Sequence, residues 1–173
     1  MRIAPYETVY IINLTGTEAK KMLELTQNTA KTIFETSVSC IGVSTCQVGV
    51  RDSQALLRAC VEAVREAKIP DGALPQIHIS GCPSSCGTHQ TGEMGFRGAI
   101  KNKQSAFMFY LSGCDRQGEE KMGAELGTIL ETEIPKFLVE LGQTIAASGK
   151  DYYAWKAENP NGVEKIAAPY LAD

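Results

Sequence analysis

The stretch Gly81-Cys82-Pro-Ser-Ser-Cys86-Gly87, taken with Cys40 and Cys46 earlier in the chain, decides how this sequence folds. Each pair of cysteines follows a short run that is typical of a β-strand, and a long helical pattern separates the two pairs. Four thiols that lie on two loops suit a metal better than a hydrophobic core. The sequence therefore predicts a metal site that is built from two cysteine loops.

The composition excludes several classes of protein. The chain has 173 residues, and a hydrophobic share of 43% with a charged share of 21% is typical of a soluble globular domain. The net charge of −3 argues against a nucleic-acid-binding face, which would be basic. No apolar run is long enough to span a membrane, and the N-terminus lacks the apolar segment of a secretory signal. We expect a cytoplasmic protein that binds neither nucleic acid nor membranes.

Hydrophobic periodicity predicts an α+β fold with layered helices and one mixed sheet of about five strands. The predicted strands cover 7–14, 37–40, 76–80, 93–101 and 105–112. The predicted helices start near Gly16, cover 52–68 and 134–147, and include short tail helices that Pro160-Asn-Gly162 interrupts. We expect a single domain over 1–173, with a strand and helix in 1–36, a cluster-bearing core in 37–148 and a helical tail in 149–173.

Three kinds of cysteine chemistry compete for the two pairs. The C-x5-C spacing of the first pair is wider than the common zinc knuckle, and disulfides are disfavoured in a reducing compartment. An iron-sulfur cluster is favoured, with zinc and disulfides as alternatives. Pro83 stiffens the second loop, and Ser84, Ser85 and Gly87 are expected to offer N–H and hydroxyl donors to the cluster sulfurs.

The other two cysteines are expected to play no part in this site. Cys60 lies on the predicted core face of the helix over 52–68, where it acts as a small buried hydrophobe. Cys114 follows a predicted strand and is expected to be an incidental thiol.

Several segments resemble the nitrite and sulfite reductase family, in the domain that carries a [4Fe-4S] cluster and sirohaem. The segments are Arg2-Ile-Ala-Pro-Tyr, Ser39-Cys-Ile-Gly-Val-Ser-Thr-Cys46, Ile77-His-Ile-Ser-Gly-Cys-Pro-Ser-Ser-Cys-Gly87, Gly92-Glu-Met-Gly-Phe-Arg-Gly98 and Phe109-Tyr-Leu-Ser-Gly113. The resemblance implies that Cys40, Cys46, Cys82 and Cys86 hold the cluster. It also implies that Cys86 bridges to the sirohaem iron, so we expect Cys86 to be the most exposed of the four.

The resemblance implies an oxidoreductase that relays electrons from the cluster to sirohaem for the six-electron reduction of sulfite or nitrite. Ser84, Ser85, Arg51 and Arg97 are expected to contact the cofactors, with Lys101 and Lys103 nearby. The chain departs from the family where Ser84-Ser85 replaces Asn-Gly and where Gly113-Cys114 replaces Gly-Gly. His89 is either a donor to cofactor or substrate or a plain loop residue.

The family enzymes contain two repeats, and the cations that bind the anion come from the repeat that this chain lacks. We therefore interpret the chain as the C-terminal half of a longer reductase, inactive on its own, with its catalytic residues on the missing repeat. Its expected partners are the N-terminal repeat or another subunit, and an electron donor such as ferredoxin or a flavoprotein. The alternatives are a stand-alone [4Fe-4S] electron-transfer module without sirohaem and, third, a zinc-stabilised scaffold.

Overall fold

The computed structural model of the chain describes residues 1–4 and 8–172, which form two compact units. The units are Met1–Lys31 and Thr32–Asp173. Pro5 and Tyr6 of the opening segment, and Glu7 of the first predicted strand, lie outside the described residues. The expectation of a single domain over 1–173 stays a prediction.

The first unit contains a small hairpin and one helix. Strand β1 (Arg2–Ala4) pairs in antiparallel fashion with β2 (Thr8–Tyr10). Helix α1 (Gly16–Leu25) follows, and a capping box of Thr15 and Glu18 starts it as the sequence predicts. The Thr15 backbone N–H donates to the Glu18 carboxylate at 2.8 Å. Helix α1 has no fully buried side chain, and Leu23 and Leu25 are exposed.

The second unit is built on a six-stranded mixed sheet, which confirms the predicted α+β class. The strands follow the spatial order β3-β4-β5-β6-β7-β8, with parallel pairing from β3 to β5 and antiparallel pairing from β5 to β8. Their bounds are Val38–Ser39, Ile77–Ser80, Met94–Lys101, Gln104–Leu111, Ala124–Leu130 and Leu171–Ala172.

Two strands of this sheet, β7 and β8, are absent from the sequence prediction. Strand β7 is interrupted by Gly127, whose φ is +148°, and its register against β6 shifts between Phe109 and Tyr110. Such an irregularity breaks the two-residue alternation by which an exposed strand is predicted. Strand β8 has only two residues, which is too few for any pattern. The hairpin of β5 and β6 was predicted almost to the residue.

The helices of the second unit cover one face of the sheet and close the core. Their bounds are Ser53–Glu66 for α2, Ile134–Ala147 for α3, Tyr152–Glu158 for α4 and Gly162–Ala167 for α5. Phe96 stacks on Phe109 at 5.0 Å between ring centres, and Phe109 meets Phe137 of α3 edge-on at 5.4 Å. Within the described residues, no helix has both the length and the hydropathy needed to cross a membrane.

The parallel pairing of β3 with β4 determines where the cysteines lie. Cys40 directly follows β3, and Cys82 comes two residues after the end of β4. Because parallel neighbours end at the same edge of a sheet, both cysteine loops begin at one edge. The register pairs Ser39 with Ile79, so the two loops leave the sheet side by side.

We expect Gly95→Ala to destabilise the protein by about 3 kcal/mol, the upper end of typical overpacking costs. A Cβ at Gly95 would lie 1.7 Å from the His89 carbonyl oxygen, so either β5 or the segment behind the second cysteine loop must move. Gly16→Ala is the control, because a Cβ there meets nothing within 4 Å. Urea unfolding of both variants measures the difference, and equal midpoints would contradict this account of the packing.

Candidate metal centre

The first cysteine loop, residues 40–51, is held in shape by its own backbone. Cys46 N–H donates to the Gly42 carbonyl at 2.9 Å, which forms a tight turn between the two cysteines. Val43 N–H donates to the Arg51 carbonyl at 3.0 Å, so the end of the loop folds back on its start. Backbone hydrogen bonds therefore hold the loop that carries Cys40 and Cys46 in a folded-back shape.

The second cysteine loop, residues 80–88, is bound directly to the first. The Gly81 carbonyl accepts hydrogen bonds from Val50 N–H and Arg51 N–H, each at 2.9 Å. Cys40 N–H donates to the Ile79 carbonyl at 3.0 Å. These bonds hold the two cysteine loops side by side.

Close backbone packing surrounds the point where the loops meet. A Cβ at Gly81 would lie 2.7 Å from the Arg51 carbonyl oxygen, and a Cβ at Gly98 would lie 2.3 Å from the Gly81 carbonyl oxygen. Only glycine allows three backbone segments to approach this closely. Gly81 of the Gly-Cys-Pro motif and Gly98 of the downstream Phe-Arg-Gly segment thus both lie where the two loops meet β5.

The sulfur of Cys40 has two donors beside it. Gly81 N–H donates to Cys40 Sγ at 3.1 Å, and Ser53 Oγ lies 3.2 Å from the same sulfur. Ser53 Oγ also donates to the Cys40 carbonyl at 2.7 Å. Donors of this kind stabilise a thiolate and are typical of the surroundings of a metal-bound cysteine. The sequence analysis does not include Ser53 in the site; its position at the start of α2, just after the first loop, was the available signal.

The four cysteines differ in exposure, and Cys86 is the most exposed, as predicted. Cys82 is buried at 7% exposure, whereas Cys40 and Cys46 are half-buried. The Cys86 thiol lies 4.0 Å from the Ser84 carbonyl oxygen at the surface. A buried and an exposed thiol four residues apart would present one sulfur to the interior of the site and one to its outside.

One expected donor in the second loop is not available to a cluster. Gly87 N–H donates to Ser80 Oγ at 3.1 Å, so the prediction for this group is wrong. The cause is that Ser80, the last residue of β4, turns its hydroxyl into the loop. Ser84 is exposed and Ser85 is half-buried with a φ of +58°, and the Ser85 carbonyl accepts from Thr88 N–H at 2.8 Å. Their contact with a cofactor stays a prediction.

Two of the predicted cations, Arg51 and Arg97, lie near the loops and contact other groups of the chain. Arg51 Nε donates to the Ala99 carbonyl at 2.8 Å. Arg97 lies 3.8 Å from the Glu125 carboxylate, with its guanidinium 5.8 Å from the centre of the Tyr110 ring. Lys101 ends β5, and Lys103 is exposed in the hairpin turn with a φ of +64°.

His89 is buried, which sequence reasoning did not foresee. The side chain has no exposed surface, its ring lies 4.8 Å from that of Tyr110, and neither ring nitrogen has a hydrogen-bond partner among the described residues. Burial, with a further contribution from the Arg97 charge, lowers the pKa of His89 to about 4. Burial and the hydrogen bond to Glu125 raise the pKa of Tyr110 to about 12. His89 is therefore a neutral histidine near pH 7.

The remaining cysteines lie elsewhere, as predicted. Cys60 belongs to the hydrophobic core, and burial raises the pKa of its thiol. Cys114 forms an isolated bridge with Lys121 after β6 and lines a cleft of about 1160 Å³ together with Glu93, Arg116 and Lys156. Lys156 in that cleft pairs with Glu93, which also accepts a hydrogen bond from the Tyr152 hydroxyl.

Nowhere in residues 1–4 and 8–172 do three or more His, Cys, Asp or Glu side chains form a group that could hold a metal ion. The convergence of the four sulfurs stays a prediction. The chemistry of the residues fits an iron-sulfur cluster: four thiols stand on two loops that share hydrogen bonds, and Cys40 has an N–H and a hydroxyl beside its sulfur.

Sequence comparison relates the chain to sulfite reductases. It is 26% identical over 148 residues to the hemoprotein beta-component of NADPH sulfite reductase from Bacillus licheniformis, which covers 75% of this chain and 26% of that protein. The corresponding protein of Salmonella paratyphi A is 24% identical over 130 residues, which covers 72% and 21%. The chain spans about a quarter of the length of these relatives. No family model matches it.

Structure comparison finds a protein with a similar fold. The NirA protein of Mycobacterium tuberculosis superposes with a TM-score of 0.64 at 16% identity, over 80% of this chain and 28% of NirA. The chain is similar in sequence to sulfite reductase hemoproteins and shares the fold of NirA.

We expect His89 to make the protein less stable in acid. Its pKa is lower in the folded chain than the usual 6.5, so the unfolded chain binds more protons between pH 6.5 and 4, and stability falls as pH falls through that window. His89→Phe keeps a ring against Tyr110 and removes the titration. Between pH 7 and pH 5 the wild type should lose about 2 kcal/mol more of its unfolding free energy than the variant.

Urea unfolding of the reduced, metal-free protein at the two pH values measures this difference. His78 also has a pKa lowered by burial, but it is present in both proteins and cancels. Parallel pH profiles for wild type and His89→Phe would show that His89 titrates normally.

Proposed function

We propose that this chain is the iron-sulfur half of a sirohaem-dependent sulfite or nitrite reductase. Cys40, Cys46, Cys82 and Cys86 would hold a [4Fe-4S] cluster, and Cys86 would also reach the sirohaem iron. When bound, these groups supply electron storage and transfer to the anion. The similarity to sulfite reductase hemoproteins and the fold shared with NirA support the class of enzyme.

The observation that carries the proposal is the direct bonding of the two cysteine loops. Val50 and Arg51 of the first loop donate to the Gly81 carbonyl, one residue before Cys82. A Cys₄ cluster requires thiolates from different segments to lie within a few ångströms of one another. Loops that share hydrogen bonds meet this requirement far better than cysteines on independent surface loops.

The difference in exposure supports separate roles for Cys82 and Cys86. Cys82, at 7% exposure, is shielded from water, which protects a metal-thiolate bond from exchange. Cys86 is exposed and is free to contact a group that lies outside the protein surface. The first loop also exposes Ile41, Val43 and Val48, the last at 68%. Apolar side chains exposed around a polar site are typical of a surface that a cofactor or partner covers.

The chain's own residues supply little positive charge for an anion. Arg51 is bonded to a backbone carbonyl, and Arg97 is partnered by Glu125 and the Tyr110 ring. Reduction of sulfite or nitrite needs cations and proton donors where charge develops on the bound oxygens. We propose that these come from the rest of a longer reductase, since the chain spans about a quarter of its relatives' length. An electron donor such as ferredoxin or a flavoprotein would complete the system.

Assembly of the cluster tests the proposal directly. The purified chain is treated with ferrous iron and sulfide in the absence of oxygen, and bound iron, bound sulfide and the visible spectrum are measured. We expect about four iron and four sulfide per chain, with broad absorption near 400 nm. Serine at Cys40, Cys46, Cys82 or Cys86 should each lower the cluster content at least several-fold.

Cys114→Ser is the matched control, because Cys114 is half-buried like Cys40 and Cys46 but lies after β6. It should assemble as much cluster as the wild type. Full assembly in all four serine variants, or its loss in Cys114→Ser alone, would contradict the assignment. Binding of zinc but not of an iron-sulfur cluster would favour the zinc-stabilised scaffold.

Turnover separates the half-reductase from a complete enzyme. With an assembled cluster, added sirohaem and a reduced viologen, we expect dye oxidation by sulfite or nitrite far below about 10 per second, a typical enzyme turnover. The physical reason is that the two arginines near the loops, Arg51 and Arg97, are engaged with other groups of the chain. Turnover at that typical rate would show that the site is complete within these residues. An assembled cluster that binds no sirohaem would favour the stand-alone electron-transfer module.

A further inference from the structure

Cys40 differs from a simple surface thiol because two donors stand beside its sulfur. One is the backbone N–H of Gly81 at 3.1 Å and the other is the hydroxyl of Ser53 at 3.2 Å. A substitution at Ser53 removes its donor, whereas the N–H of Gly81 belongs to the backbone. We infer that Ser53 is a positioning residue that donates a hydrogen bond to the metal-bound Cys40 sulfur and raises the reduction potential of the cluster. The inference rests on the function proposed above.

The count of protons fixes the direction of this hydrogen bond. Serine has one hydroxyl hydrogen, and Ser53 Oγ lies 2.7 Å from the Cys40 carbonyl oxygen as well as 3.2 Å from Sγ. In the free thiol, the sulfur can donate to Ser53 Oγ while the hydroxyl donates to the carbonyl. A sulfur bound to iron carries no proton, so the contact is a hydrogen bond only when serine donates. The negative thiolate is then a stronger acceptor than the neutral carbonyl.

The surroundings make this bond effective. Ser53 has no exposed surface, so water does not compete for its hydroxyl. It is the first residue of α2, where the positive end of the helix dipole also favours negative charge. Cys40 directly follows β3, so both partners stand at the ends of regular elements rather than in the middle of a loop. The geometry is therefore fixed before any metal binds.

The electrostatic consequence is a shift in reduction potential. One-electron reduction by dithionite adds one negative charge to the cluster, and part of that charge lies on the cysteine sulfurs. A donor to Cys40 Sγ stabilises the reduced state more than the oxidised state, so it raises the potential. Removal of the hydroxyl should lower the potential while leaving the four ligands unchanged.

The experiment compares clusters assembled anaerobically from ferrous iron and sulfide in the wild type and in Ser53→Ala. The midpoint potential is measured by dye-mediated titration with dithionite, followed by visible absorption and by the EPR signal of the reduced cluster. We expect a fall of about tenfold in the equilibrium constant for reduction, which corresponds to about 59 mV for one electron. Ser53→Thr keeps a hydroxyl and should retain a potential near that of the wild type.

Ser44→Ala is the matched control, because Ser44 lies in the first cysteine loop together with Cys40. The Ser44 hydroxyl donates to the Ile41 carbonyl at 2.9 Å, so its loss removes a serine hydrogen bond without removing a donor to Cys40. Its potential should equal that of the wild type. If Ser53→Ala does not assemble a cluster, Ser53→Gly replaces it, because it also lacks the hydroxyl and adds no bulk.

The outcomes distinguish this inference from the proposed function. Equal reduction potentials in the wild type and in the variant that lacks the hydroxyl would overturn this inference but not the proposed function. So would a Ser53→Thr potential as low as that of Ser53→Ala, since a hydroxyl would then have no effect. Failure of the wild type to assemble any cluster overturns the proposed function, and the inference with it.

Discussion

The Gly81 carbonyl is the group on which the site depends. It accepts from Val50 and Arg51 of the first cysteine loop, and it leaves no room for a side chain at Gly98 on the neighbouring strand. The Gly81 carbonyl oxygen thus bonds to the first loop and packs against β5, while Gly81 itself belongs to the second loop. Loss of both N–H bonds would leave the carbonyl without a partner at a crowded junction, which costs more than the bonds themselves contribute. The two loops are therefore held to each other mainly by backbone groups.

This arrangement explains why the parallel part of the sheet matters. Strands β3, β4 and β5 run in one direction, so the segments after β3 and β4 leave from one edge, and β5 ends beside them. The antiparallel strands beyond β5 contribute a core of stacked phenylalanines instead. Helix α2 connects the site to the hydrophobic core, since its first residue contacts Cys40 and its later residues enter the core. A site of this kind is rigid because both loops are short extensions of packed elements.

Much of the fold could be predicted because strong local patterns specify it. Helix α3 follows an apolar spacing with Pro135 at its start, and the hairpin of β5 and β6 follows two strand-like runs around a short turn, the second of them almost continuously apolar. Strand β7 could not, because Gly127 and the shift at Tyr110 remove its alternation. In the candidate site, the exposure of Cys86 was predictable from the resemblance to the reductase family, whereas the ligand role of the four cysteines stays a prediction. The burial of His89, by contrast, depends on Gly95 and Tyr110, which lie on strands that no local pattern brings to it.

The polar groups near the cysteines divide into two sets by what they bond to. The guanidinium groups of Arg51 and Arg97 are directed at a carbonyl, a carboxylate and an aromatic ring of the chain itself, so they stabilise the scaffold. At Cys40, the Gly81 N–H donates to sulfur and the Ser53 hydroxyl lies beside the same sulfur. A bound anion would need guanidinium groups that have no partner within the chain, whereas a thiolate needs hydrogen-bond donors close to its sulfur. The arginines near the loops thus serve the chain's own scaffold, whereas the groups around Cys40 favour negative charge on sulfur.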